Sequence, residues 1–357
     1  VVCLIGGSSS SVSRYQFIKL HSQPPCSLLN AVRAHSHSQP NRSETRFGGL
    51  DGMKEKPMNA HIYEQITERI MALLAQGTVP WQKPWKARTG LPRNLVSQNP
   101  YRGINVFLLL AMSYESPFWL TFRQALQLGG TVRKGEKSCP VVFWKQTTIE
   151  DTESGEQQKK RMLRLYHVFN VAQCDGLKTG TGPIEEPVDG IVKPEGIVAN
   201  MPQRPEIKHG MTRAFYSPCE DCVGLPMRER FERAEAYYAT LFHELVHATG
   251  HESRLNRVTL TEKAGFGSNP YCKEELIAEM GAAFLCGQAE IAERTIDNSA
   301  AYLNGWLEQL RSDKTLIVQA AAQAQKAADF ILGKTPADTQ ASDAQNATPP
   351  EPMEVAA

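Results

Sequence analysis

The residues best suited to chemistry form one short run, His243-Glu244-Leu245-Val246-His247. Residues four apart share a helix face, so both imidazoles of such a run can bind one metal ion. The glutamate between them stands beside that ion, placed to take a proton from a bound water. Five-residue patterns arise by chance, so the flanking helix must agree. At about 100° per residue, Phe231, Ala234, Tyr238, Leu241 and Leu245 fall on one apolar stripe, and both histidines face away from it. Ala236 and Thr240 precede them on that side and are small enough to leave a cleft. Two histidines serving only as hydrogen-bonded core residues would explain neither Glu244 nor these small neighbours.

A third protein ligand must come from elsewhere. An extended HExxHxxGxxH motif would place it at Ser253, which cannot serve. The next helix opens at Asn269-Pro270, a good cap and first position. It carries Glu275 and Glu279 four residues apart. Glu275 is assigned as the ligand, and Glu279 as the carboxylate that supports it by orienting a histidine. Water would fill a fourth, tetrahedral position around Zn2+. Glu274 projects about 100° away and reads as a solvated acid. His251 lies four residues after His247 and could extend the row, but Gly250 is a natural helix terminator, so it reads as a supporting or cleft-wall histidine. Glu274, Glu279 and His251 stay open as alternative third ligands. Cys219 and Cys222 form a CxxC with no second pair, too little for a zinc ribbon.

The elements that must position these residues follow from periodicity. Helices are expected over 227–249, 270–286, 300–311 and 315–332, after strand-like residues 212–223 broken at Pro218. Further forward, Ile62, Ile66, Ile70 and Leu73 recur at helical spacing, and Ile104 to Met112 reads as a buried helix. A short helix over 121–128 precedes strands near Val132, 141–144 and 163–171, with a polar hairpin tip between the last two. The whole reads as an α+β protein: a small α+β N-terminal domain (58–178), a linker (179–211) rich in Gly, Pro and Glu, and a mainly helical C-terminal domain (212–334). Residues 1–57 and 335–357 read as disordered, and Met53 or Met58 as credible natural starts.

With 39 Lys and Arg against 38 Asp and Glu, the chain is close to neutral, but the charge is divided. Residues 58–180 carry sixteen basic against nine acidic side chains, and residues 181–334 carry sixteen against twenty-two. Two domains with different partners fit this asymmetry. The longest apolar run, Val106 to Met112, is far short of the ~20 residues of a membrane helix, so no membrane partner is expected. Eight cysteines with no small-domain framework indicate reduced thiols and a cytoplasmic setting.

Sequence-independent binding of single-stranded DNA needs cations for phosphates and aromatic faces for bases. The front half interleaves them: Trp81, Trp85 and Tyr101 stand among Lys83, Arg93 and Arg102, and Lys134 and Lys137 flank a Gly-containing turn. Trp119 also belongs to this series, although Phe118-Trp119-Leu120 reads as buried.

The chain resembles the ArdC-type antirestriction proteins of conjugative plasmids. The resemblance rests on the run from Tyr237 to His251, on Arg254-Leu255-Asn256-Arg257, on Glu274-Glu275-Leu276-Ile277-Ala278-Glu279 and on Gln325-Lys326-Ala327-Ala328-Asp329. In the front half it rests on Pro80-Trp81-Gln82-Lys83-Pro84-Trp85, on the stretch from Asn99 to Asn105 and on Val168-Phe169-Asn170-Val171. It covers about residues 58–334. The resemblance implies an N-terminal single-stranded-DNA-binding domain, a zincin-like metallopeptidase domain of the HExxH-plus-Glu kind, and protection of incoming plasmid DNA from restriction in a bacterial cytoplasm. The implied partners are single-stranded DNA, a type I restriction enzyme and a peptide or protein substrate. The alternative is a DNA-coating protein whose zinc site is structural or docks the restriction enzyme. The resemblance places Asp221 in a Tyr-x-Pro-x-x-Asp pattern, which makes the flanking cysteines incidental.

Overall fold

Burying the apolar stripe of Ile62, Ile66, Ile70 and Leu74 requires a partner surface, and the chain finds it in its own distant helices. The computed structural model describes residues 59–82, 91–150, 157–177, 193–261, 269–291 and 300–335; the expected terminal disorder falls almost wholly outside them. In the front half, α1 (Ala60–Ala75) leads to a 3₁₀ turn (Pro80–Gln82), β1 (Arg93–Asn94) and α2 (Ile104–Ala111). Then follow β2 (Phe118–Thr121), α3 (Phe122–Gln127), β3 (Thr131–Val132), β4 (Cys139–Glu150), β5 (Gln157–Asn170) and β6 (Cys174–Asp175). Thr121 and Gln124 form a reciprocal capping box that starts α3. The sheet runs β1-β2-β5-β4, with β4 and β5 as a long antiparallel hairpin, while β3 and β6 pair separately.

The back half contains α4 (Pro194–Asn200), β7 (Glu206–His209), β8 (Phe215–Ser217), β9 (Cys222–Leu225) and α5 (Ala234–Thr249). It continues with α6 (Val258–Thr261), α7 (Asn269–Gln288), α8 (Ala300–Ser312) and α9 (Leu316–Ile331). Its sheet has the order β7-β9-β8. Two expectations change here. The stretch taken as linker, 179–211, contains α4 and β7, and β7 pairs in parallel with β9, so ladder bonds overrule the Gly and Pro content. The helix expected from 227 starts only at Ala234, after a short 3₁₀ turn over Arg228–Arg230.

The two halves share one hydrophobic core. Trp81 packs edge-on against Phe107 of α2 (6.2 Å) and Trp306 of α8 (5.3 Å), and Phe107 stacks on Phe284 of α7 (4.8 Å). Arg102 pairs with the buried Asp329 of α9, and Gln325 accepts from the Gly103 amide at 3.1 Å. Two motifs from opposite ends of the chain therefore interlock. The crossing that matters most for the site is α5 against α7, which approach at Gly281: a Cβ there would lie 2.7 Å from a Val246 methyl.

Candidate metal centre

His243 and His247 lie one turn apart on α5, and both are buried. Their Nε2 atoms face each other at 3.1 Å, and Glu275 of α7 brings its two oxygens to 3.6 and 3.7 Å from them. A tetrahedral cation with ligand bonds of about 2.0–2.1 Å requires edges near 3.3–3.4 Å, so these three residues bring ligand atoms to the spacing of a metal face. Among the described residues this is the one His/Cys/Asp/Glu group so arranged. Glu275 Oε1 and both oxygens of Glu244 are buried without a hydrogen-bond partner. Buried polar atoms are rarely left so, and a cation with a bound water would satisfy them. The residues fit a metal.

The charges agree. Burial would lower the His243 pKa, but Glu275 beside it, with the Glu244 and Glu279 charges, raises it to about 9. His247, dominated by burial, is lowered. Burial tends to raise the Glu275 carboxyl, yet the two imidazoles hold it below its ordinary value. In Glu244 burial wins and lifts the carboxyl to about 7, close to the value at which a base both holds and releases a proton near neutrality.

Glu274, expected to be solvated, is instead the carboxylate that orients a histidine. It is buried on α7 and accepts from His247 Nδ1 at 3.2 Å, which leaves Nε2 for the metal. Arg257 fixes it in a two-pronged pair and also donates to Thr249 Oγ1 (2.6 Å) and the Val246 carbonyl (2.8 Å); Thr259 adds a bond of 2.6 Å. Burial alone would raise the Glu274 carboxyl, but the Arg257 charge and the His247 bond hold it at about 2. The sequence offered Arg257 within a quoted motif but not its partner, because the pair forms only when the loop after α5 folds back over α7.

Glu279, expected to orient a histidine, makes no hydrogen bond to one, although its charge acts on His243. Its Oε2 and the Gln82 Nε2 are both buried without a conventional hydrogen bond, and Gln82 lies near enough to counter part of the rise to about 7 that burial imposes on Glu279. A front-half residue thus stands beside Glu279. His251 leaves the ligand face: Gly250 ends α5, and His251 Nδ1 meets Ser253 Oγ at 2.8 Å. Asp221 accepts from Tyr216 at 2.7 Å and pairs with Arg254, tying the β8–β9 turn to the end of α5. The neighbouring Cys219 is exposed and Cys222 buried, with no metal arrangement between them.

The residues expected to contact DNA separate into four groups. Trp81 and Tyr101 are only 1% and 3% exposed and belong to the core, since the proline-rich turn tucks the Trp81 indole under α2 and α8. Trp119 is buried as its neighbours suggested. Arg102 is engaged with Asp329, and Arg93 is half-buried on β1. Lys134 and Lys137 are exposed. Lys83 and Trp85 lie outside the described residues.

Residues 60–169 match the family described as the N-terminal domain of anti-restriction factor ArdC, and residues 195–323 match the zincin-like metallopeptidase family. The chain is 36% identical over 317 residues to an Escherichia coli protein named DNA primase TraC. That match covers 81% of this chain and 28% of TraC, so the chain spans less than a third of that relative's length. It is 35% identical over 299 residues to protein y4eC of Sinorhizobium fredii, covering 80% of this chain and 94% of y4eC. Among solved structures, antirestriction protein ArdC of plasmid R388 matches at 37% identity, covering 79% of this chain and 98% of that one. The TM-score is 0.62 for its metal-free form and 0.61 for its Mn(II)-bound form.

Proposed function

The chain belongs to the family of the ArdC antirestriction proteins, and on that premise we propose that it binds single-stranded DNA, protects incoming plasmid DNA from host restriction, and carries a competent zinc peptidase site. The proposed setting is a bacterial cytoplasm, with a type I restriction enzyme and a protein or peptide substrate as further partners.

The observation that carries the peptidase reading is Glu244. Its two oxygens are buried, within the fields of His243 and Glu275, and no side chain hydrogen-bonds to them. A structural metal site gains nothing from such a group, whereas a hydrolytic one requires it. When loaded, the metal would supply a water of lowered pKa and polarise the peptide carbonyl. His243, His247 and Glu275 would hold it, and Glu274 with Arg257 would keep His247 aimed. Glu244 would take the proton of the attacking water on a carboxylate oxygen and pass it to the leaving amine. His243, Glu244, His247 and Glu275 are all buried, which keeps bulk water from them.

The test is Glu244→Ala, which removes the base and no ligand. Peptide hydrolysis should fall by about 10²–10⁴, with metal content and DNA affinity unchanged. In conjugation between restricting and non-restricting recipients, the variant should lose protection of the incoming DNA. Full protection by a variant that no longer hydrolyses would assign protection to DNA binding instead.

A further inference from the structure

With Trp81 and Tyr101 in the core, the front half must offer bases another aromatic surface if it binds single strands at all. The register of the large sheet places one. Phe169, His167, Leu165 and Leu163 alternate along one face of β5, and Trp144 of β4 stands directly opposite Leu163 on the same face. Phe122, at the start of α3, meets Phe169 edge-on at 6.5 Å. On this face Leu163, Val142 and Pro140 are covered, but Phe122 is 52% and Trp144 48% exposed, and His167 is exposed between them. Among the described residues nothing covers these two large aromatics.

From Phe169 to the residue opposite Trp144 is six residues along β5, or about 20 Å, long enough for several bases. Cations flank the strip. Arg123 follows Phe122, and Lys134 and Lys137 lie on the turn before β4, with Lys137 two residues from the strand. All three are exposed, and none pairs with an acid among the described residues. Arg133 of the same turn is held by Glu136 and Asp175, and Arg102 by Asp329. Arg164 is also exposed and pairs with no acid among the described residues, but it points to the other face of β5, so Arg123, Lys134 and Lys137 are the ones this strip can use.

We propose that this face, with Phe122, His167 and Trp144 as the stacking row and Arg123, Lys134 and Lys137 as phosphate contacts, is the single-stranded nucleic-acid site. The inference rests on the proposed DNA binding and assigns it a place. Stacking tolerates any base, and cations read only the backbone, so binding should be indifferent to sequence and sensitive to salt.

The experiment is a titration of a labelled oligothymidylate with the full chain. Trp144→Ala with Phe122→Ala should weaken binding by about tenfold or more, with melting temperature kept, and Trp144→Phe should restore most of the loss. Arg123→Ala with Lys134→Ala and Lys137→Ala, all on the surface, should flatten the dependence on salt by about two phosphate contacts or more. If the aromatic variants do not fold, the cation variant alone decides. Unchanged affinity and salt slope in folded variants would overturn the assignment and leave the face to another partner. A wild-type chain that binds no oligonucleotide at low salt would overturn the DNA-binding reading itself.

Discussion

Glu274 and Glu275 are chain neighbours with opposite tasks, and their partners decide which is which. Glu275 turns its oxygens to two imidazole Nε2 atoms, while Glu274 faces His247 Nδ1 and the Arg257 guanidinium. The sequence favoured Glu275 among four candidates through its i,i+4 partnership with Glu279, and the structure groups it with both histidines. The role of Glu274 was not legible: a 100° offset predicts another face, but whether that face meets water or Arg257 depends on the loop after α5. Glu274→Gln keeps the shape, removes the charge and weakens the hold on His247, so metal affinity should fall about 10–100-fold. Chelator competition measures it, and an affinity equal to wild type would return His247 orientation to another group. Glu274→Ala goes further, since it leaves Arg257 buried beside no carboxylate. It should lower stability by about 3–5 kcal/mol, read from denaturant unfolding, and a loss under about 1 kcal/mol would mean that water replaces the carboxylate.

The site depends on two helices, and both were readable from their periodicity, caps and Asn-Pro start. Their crossing was not, because it turns on one missing side chain. Gly281 lets α7 approach α5 until Val246 fills the place of a Cβ. Gly281→Ala must push these helices apart, at a cost of about 1–3 kcal/mol. Because His247 follows Val246, metal affinity should drop with stability. Restoring room through Val246→Ala in the same chain should recover part of the affinity, and no recovery would place the strain elsewhere. The β7 strand shows the opposite limit. Gly- and Pro-rich surroundings suggested a linker, but its ladder to β9 is a tertiary fact that local composition does not carry.

The charge division between the halves and the order of their motifs pointed to two domains, yet the packing joins them through one core. Trp81, Phe107, Phe284 and Trp306 form a continuous aromatic contact across the boundary, and Arg102–Asp329 pins it. Aromatic residues read as DNA contacts because nothing local separates a stacking platform from an interface to a distant helix. One calorimetric transition is expected for both halves, and Arg102→Ala should shift it by a loss of about 2–3 kcal/mol. Two resolved transitions would show independent domains. The account as a whole hangs on the three-ligand face beside an uncommitted Glu244. Its most direct test is the metal content of the purified full chain and two variants. The wild type should hold about one zinc per chain, Glu275→Gln should lose it, and Glu244→Ala should keep it. Undiminished zinc in Glu275→Gln, or loss in Glu244→Ala, would contradict the assignment of ligand and base.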